Sequence, residues 1–223
     1  VGRGAGPRTA LVLLSAASGA ADAFVFLCVG QVFAGVMTGN LVLLGAAAAG
    51  AGEHGVALRV VTALVSYGCG VAGAALAGER VWRRVPLMLL AEVVLLAAGA
   101  WLWAAGVVAS ETERLGLLVL LGLAMGIQGR ARATPTNYFT GTLTSLVGRL
   151  AGERAWRGED GWTAGRLAAA VAGAAVAALA VRFWPASGGV TAAVLAGAAL
   201  LVEALAAGKG KPRPDRGNPA GAA

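Results

Sequence analysis

SAASGAADAFVFLCVGQVFAGVMTGNLVLLG, residues 15–45, is apolar enough to lie in a membrane, yet it carries Asp22, Gln31, Asn40 and scattered glycines. A second stretch, AMGIQGRARATPTNYFTGTLTSLVG at 124–148, repeats the arrangement. Gly126-Ile127-Gln128-Gly129 stands where Gly19-Ala20-Ala21-Asp22 stood, and Phe139-Thr140-Gly141-Thr142-Leu143 echoes Met37-Thr38-Gly39-Asn40-Leu41. Each apolar stretch around these motifs is too long for one straight span of about 20 residues. The glycines and polar residues predict a helix, a break, and a second helix or half-helix. Paired interrupted segments in two halves of a membrane protein are the best sequence pointer to a binding site.

Composition agrees with a membrane protein: 58% of residues are apolar and only 13% charged, which excludes an ordinary soluble domain. Residues 10–29 have the length of a signal-peptide core, but comparable stretches follow, so they read as a retained span. Cys28 and Cys69 fall inside apolar stretches and read as small buried residues, with no disulfide or metal pair indicated. His54 sits in a short polar connection, which leaves no histidine-based metal site or nucleophile. No phosphate-binding glycine loop and no nucleophile elbow is present, so neither an enzyme nor a cofactor is expected. The net charge of +7 does not point to nucleic acid, because the basic residues punctuate the ends of apolar stretches and crowd the C-terminal tail.

Outward from the duplicated stretches, full spans are expected at 57–78, 86–105, 165–183 and 188–207. Polar links occupy 110–114 and 151–163, and Pro86 suits a first helical turn. Gly70, Ala74 and Gly78, and likewise Ala169, Gly173 and Ala177, put small residues on one face for close packing. The first of these faces suits either a homo-oligomer contact or internal packing. The organisation is therefore an N-terminal tail (1–8), one transmembrane domain (9–208) and a basic tail (209–223) that reads as disordered. Repeat 1 covers about 9–105 and repeat 2 about 115–207, each a broken stretch followed by two spans. If each broken stretch makes one net crossing, the second repeat is inverted relative to the first.

Charge tests that topology. With the N-terminus in the cytoplasm, the cytoplasmic segments hold Arg3, Arg8, Arg80, Arg83, Arg84, Arg149, Arg154, Arg157, Arg166, Lys209, Lys211, Arg213 and Arg216. The outer side receives Arg59, Arg114 and Arg182, a bias that favours both termini inside. Trp82, Trp101, Trp103, Trp156, Trp162 and Trp184 fall near span ends, where an aromatic belt belongs.

The segments Gly19 to Ala23, Met37 to Gly45, Gly126-Ile127-Gln128, Arg132 and Thr140-Gly141-Thr142-Leu143 resemble the YoaK-type family of uncharacterised bacterial membrane proteins. The resemblance covers about residues 9–207 and implies an integral membrane protein of about six spans with no established activity. Relatives usually follow Gly-x-Gln with Asn, where this chain has Gly129.

Asp22 is the sharpest polar residue. A carboxylate in hydrocarbon costs about 2.5–3.5 kcal/mol on insertion scales, so it should face the protein interior and have a partner. Arg130 and Arg132 in the other copy are candidate partners. Thr38, Gly39 and Asn40, with Thr140, Gly141 and Thr142, each open an apolar run and suit a helix N-terminus. Two such N-termini meeting in mid-membrane would favour an anionic group, whereas threonine and asparagine that only bond across helices would be structural. Gln31, Gln128 and Asn137 are further candidates for the same cavity. Glu92 and Glu203 read as side chains that snorkel or pair with nearby basic residues.

The expected protein is an all-α polytopic membrane protein with about six crossings in two inverted three-span repeats, each opening with a broken helix. It is expected in the bacterial inner membrane, with the lipid bilayer and a small solute as partners. The function expected is a permease or exporter. The alternative is a non-transporting helper, sensor or scaffold whose polar residues hold the halves together. Substrate-binding candidates are Asp22, Thr38, Gly39, Asn40, Gln128, Arg130, Arg132, Thr140, Gly141 and Thr142.

Overall fold

The computed structural model describes residues 8–51, 53–77, 85–131, 136, 139–153 and 158–209. The expectations placed on Arg3, Gly78, Arg80, Trp82, Arg83, Arg84, Arg132, Asn137, Arg154, Trp156, Arg157 and the tail beyond Lys209 lie outside the described residues. Among the described residues the elements are helical. They are α1 (Arg8–Phe24), continued by a π-helical turn Val25–Gly30, α2 (Met37–Ala48), α3 (Val56–Leu76) and α4 (Val85–Ala104). Then come α5 (Glu111–Ala131), α6 (Phe139–Glu153), α7 (Gly158–Phe183), a 3₁₀ turn Pro185–Ser187, and α8 (Val190–Lys209).

Among the described residues six helices are long and apolar enough to cross a membrane: α1 with its π turn, α3, α4, α5, α7 and α8 with the turn before it. The 12 residues of α2 rise about 18 Å, against a hydrocarbon core of about 30 Å, so α2 is a half-helix. The 15 residues of α6 reach about 22 Å and also fall short. Two boundaries differ from expectation. The polar residues 158–163 are the first turns of α7 rather than a link, because Asp160 there turns inward to accept two bonds from Arg149. Ser110 and Glu113 are a capping box on α5 rather than connection: each side chain meets the other's backbone N–H.

Three helix contacts among the described residues have counterparts when α1–α4 is exchanged for α5–α8, although α7 also packs on α8 where α3 and α4 show no comparable contact. Helix α1 packs on α7 as α5 packs on α3, α1 on α8 as α5 on α4, and α2 on α3 as α6 on α7. Glycine permits the two closest crossings. A Cβ at Gly19 would strike the Ala170 carbonyl, and one at Gly173 the Ala16 carbonyl. In the second crossing Gly126 meets the carbonyl of Tyr67 and Gly70 that of Leu123 in the same way. The small-residue faces read from sequence are largely internal seams: Gly70, Ala74, Gly173 and Ala177 are buried, while Ala169 is half-buried and its neighbour Ala170 takes the buried position. Cys69 departs from expectation, being exposed on the outer face of α3, while Cys28 is half-buried; both are free thiols.

The main core lies around the end of α1. Phe24, Val25, Val29, Leu96, Leu117, Leu121 and Met125 are buried there, and Phe24 meets Trp103 edge-on with centroids 5.3 Å apart. Trp103 also donates to the Pro185 carbonyl at 2.7 Å, so it ties two helix ends together as well as marking the span end.

Candidate functional site

Two polar side chains shape the first break. The chain leaves the π turn at Gln31, the described non-glycine residue with positive φ (56°), and reverses direction there. Residues 32–36 then fold back along α1 instead of leaving the bundle. Their backbone groups need partners, since no water serves them in the membrane interior. Asp22 supplies one: the Gly35 N–H donates to its Oδ1 at 2.7 Å, and the amides of Ala34 and Val36 also act on the carboxylate. Asn40 supplies two, its Oδ1 accepting from the Phe33 N–H at 2.9 Å and its Nδ2 donating to the Phe33 carbonyl at 2.7 Å. Phe33 then stacks on Phe26 of the π turn at 5.2 Å.

Helix α2 therefore starts beside Asp22, well inside the bundle, and climbs back to the end where α1 finished. The end of α2 meets the start of α3 around His54 and Gly55, and Gly30 packs on the Arg59 side chain. Arg59 is paired with Glu111 at 2.6 Å, which brings the start of α5 to this same end.

The second break is built on a related plan. Gln128, fully buried, donates to the Thr136 hydroxyl at 2.7 Å and to the Leu14 carbonyl at 2.9 Å. A polar side chain on the first helix of each half thus holds the segment that follows it, Asp22 in one and Gln128 in the other. From Phe139, α6 runs toward the opposite end of the bundle. There Arg149 pairs with Asp160 at 2.8 Å, and Arg8 lies over the Trp162 ring.

The starts of the two half-helices share a cavity. Gly35, Val36, Met37 and Thr38 from the first break, Phe139 and Thr140 from the second, and Tyr67 of α3 enclose about 130 Å³. Val36 and Phe139 also wall a second, wider hollow of about 870 Å³ between α1, α6 and α7, where Asp22 is the charged residue in an apolar lining.

Of the residues expected at a site, Thr38 and Thr140 meet at the small cavity, and Asp22 borders the large one. Asn40 lies behind the cavity wall with its amide committed to Phe33, so it clamps the break and does not cap α2. Gly39 sits against the Phe33 ring, where a Cβ would come within 3.2 Å. Gly141 and Thr142 are half-buried on the first turn of α6, and Gln128 is used in holding the break. Arg130 is half-buried on the last turn of α5 and already engaged, while Asp22 finds its partners in backbone amides. Gln31 lies at the end of the bundle and donates to Glu53 at 3.2 Å.

Sequence reasoning passed over Tyr67 and Thr136. A tyrosine in the middle of an apolar span was the available signal for the first. For Thr136 there was none, because its role depends on its approach to Gln128 in the folded chain. Glu92 differs from expectation: it is fully buried and so does not snorkel, and among the described residues neither carboxyl oxygen has a hydrogen-bond partner.

No curated protein and no solved structure matches the chain. Residues 10–206 match a family described as a protein of unknown function (DUF1275). That match takes in every helix just described and agrees with the resemblance carried by the duplicated motifs, so the chain belongs to this DUF1275 family of proteins of unknown function.

Proposed function

We propose that the protein is a permease or exporter for a small solute, with its site where the two half-helices meet. The observation that carries this reading is the shared cavity of Thr38 and Thr140, on the first turns of α2 and α6. Helix N-termini present unsatisfied N–H groups and a positive dipole end, which together favour an anion. Thr38 and Thr140, both exposed, and half-buried Tyr67 complete the lining. At about 30 Å³ per water, 130 Å³ holds roughly four waters, which selects a solute of few heavy atoms.

The three matched helix contacts of α1–α4 and α5–α8 support two inverted repeats that rock against each other about this site. The end bearing Arg8 and Arg149 faces the cytoplasm in this reading, following the distribution of basic residues, and the membrane is the bacterial inner membrane. The protein acts without chemistry on its solute.

Thermal-shift screening of detergent-purified protein against formate, nitrite, bicarbonate and acetate tests the proposal. A ligand at 100 times its dissociation constant adds about 2.7 kcal/mol to stability. The expected hit disappears in the Thr38→Val, Thr140→Val double variant and persists in Thr62→Val. Retention of the hit in the double variant would place binding elsewhere.

A second reading has its own support. Asp22 and Asn40 spend their polar atoms on the backbone of the break, as a non-transporting scaffold would require. No ligand stabilisation and no flux in proteoliposomes would select it.

A further inference from the structure

Helices α4, α5 and α8 meet along a seam distinct from the cavity. On α4 the buried residues are Met88, Leu89, Glu92, Leu96, Gly99 and Ala100. On α8 they include Ala192, Ala196, Ala199 and Glu203, and α4 packs on both α8 and α5. Glu92 is fully buried in this seam, and neither carboxyl oxygen has a hydrogen-bond partner among the described residues.

Register brings Gln128 to the same level. Gly99 packs on Leu117 and Leu121 of α5. The two helices follow each other through a short link and run antiparallel. Two turns back from Gly99 along α4 is Glu92, and two turns on from Leu121 along α5 is Gln128. The Oε1 of Gln128 is also buried without a partner among the described residues. Two unmet needs therefore face one seam: an acceptor without a donor, and a carboxyl group that becomes a donor once it holds a proton. The charged groups on the helices packed against α4 are Glu203 and the terminal Lys209 on α8, Arg130 on the last turn of α5, and Glu111, Glu113 and Arg114 at the far end of α5. Glu203 and Arg130 are already engaged.

We infer that Glu92 is a proton-binding site, and that its proton is read at the second break through Gln128 and Thr136. An isolated carboxylate in an apolar seam is destabilised, and taking up a proton removes the charge. A metal ion would need several converging ligands, and among the described residues no group of three His, Cys, Asp or Glu side chains forms one. The protonated carboxyl donates to the Gln128 Oε1. Through its other amide atom Gln128 holds Thr136, three residues before α6 and the cavity. Loss of the proton removes that donor and puts a negative charge next to the group that anchors the break.

The proton site stands by itself, whereas its purpose, coupling a proton to solute movement, rests on the permease reading. Infrared titration of the purified protein tests the site. A protonated-carboxyl band at neutral pH is expected in the unmodified protein, in Glu92→Asp and in Asp22→Asn, and is expected to be lost in Glu92→Gln. Equal band intensity in the unmodified protein and Glu92→Gln across the pH range overturns the inference. The link to the break is tested by the rate at which a small maleimide labels Thr140→Cys as pH is varied. Replacing Glu92 by Gln, or Gln128 by Leu, is expected to remove the pH response beyond that of the thiol itself. An unchanged profile in folded Gln128→Leu protein overturns the link. A band that behaves as expected in a protein showing no solute flux overturns the permease alone.

Discussion

The roles of Asp22 and Asn40 show how a polar residue in a membrane span answers to the backbone before it answers to a ligand. Each spends its hydrogen-bonding capacity on main-chain groups of residues 33–36, which no helix satisfies. Asp22→Ala leaves the Gly35 N–H buried and unmatched, an expected loss of about 1–3 kcal/mol. Asp22→Asn keeps an acceptor oxygen and is expected to recover more than half of that loss. Asn40→Ala strips both bonds from Phe33 and should cost at least as much as Asp22→Ala. Unfolding midpoints in detergent rank the three variants, and a neutral Asn40→Ala would mean that the break finds other partners. The sequence marked both residues because polar atoms in apolar runs stand out. It could not show their partners, since those are main-chain atoms brought close by the reversal at Gln31. The same blindness hid Glu92: a glutamate near a span end reads as one that reaches water, and only packing decides whether it does.

The legible features of the helices were length and small-residue spacing. Four-residue repeats of Gly and Ala proved to be seams between the halves, and the two motifs beginning Met-Thr-Gly and Phe-Thr-Gly do open half-helices. What stayed hidden was which face of a small-residue stripe is used, and where a polar turn belongs to a helix. Residues 158–163 of the expected link at 151–163 carry dense charge, but Arg149 neutralises Asp160 and α7 extends through them. The glycines make a test with an internal control. Gly19→Ala and Gly126→Ala each push a methyl group into a backbone carbonyl of the opposite helix, which cannot withdraw as a side-chain tip would. Overpacking of this kind costs about 1–3 kcal/mol. Gly45, inside α2, has nothing within 4 Å of its Cβ position, so Gly45→Ala should stabilise by about 0.5–1 kcal/mol. Thermal melting of the three variants checks opposite signs; a stabilising Gly126→Ala would contradict the close crossing.

For the whole molecule, the charged clusters define two ends. One carries Arg8, Arg149 and Asp160, the other Glu53, Arg59 and Glu111. Single cysteines placed at Glu53 or Glu159 in a Cys28→Ser, Cys69→Ser background would report which end faces out. A membrane-impermeant maleimide applied to intact cells should label position 53 and spare 159 until the membrane is opened. The reverse pattern would turn the proposed orientation over while leaving the packing intact.

The exchange of partners between halves has a consequence for the order of synthesis. Helix α1 leaves the ribosome well before α7 and α8, the helices that cover it. Until then its glycine seam has only lipid against it, and Asp22 has only the fold-back of its own break. Helix α1 must wait in the bilayer without its two main neighbours, and the bundle closes around it when residues beyond Gly158 arrive. A chain stopped after α5 would have α3, α4 and α5 in contact but leave α1 without its two main neighbours. The bundle around α1 is completed only by α7 and α8.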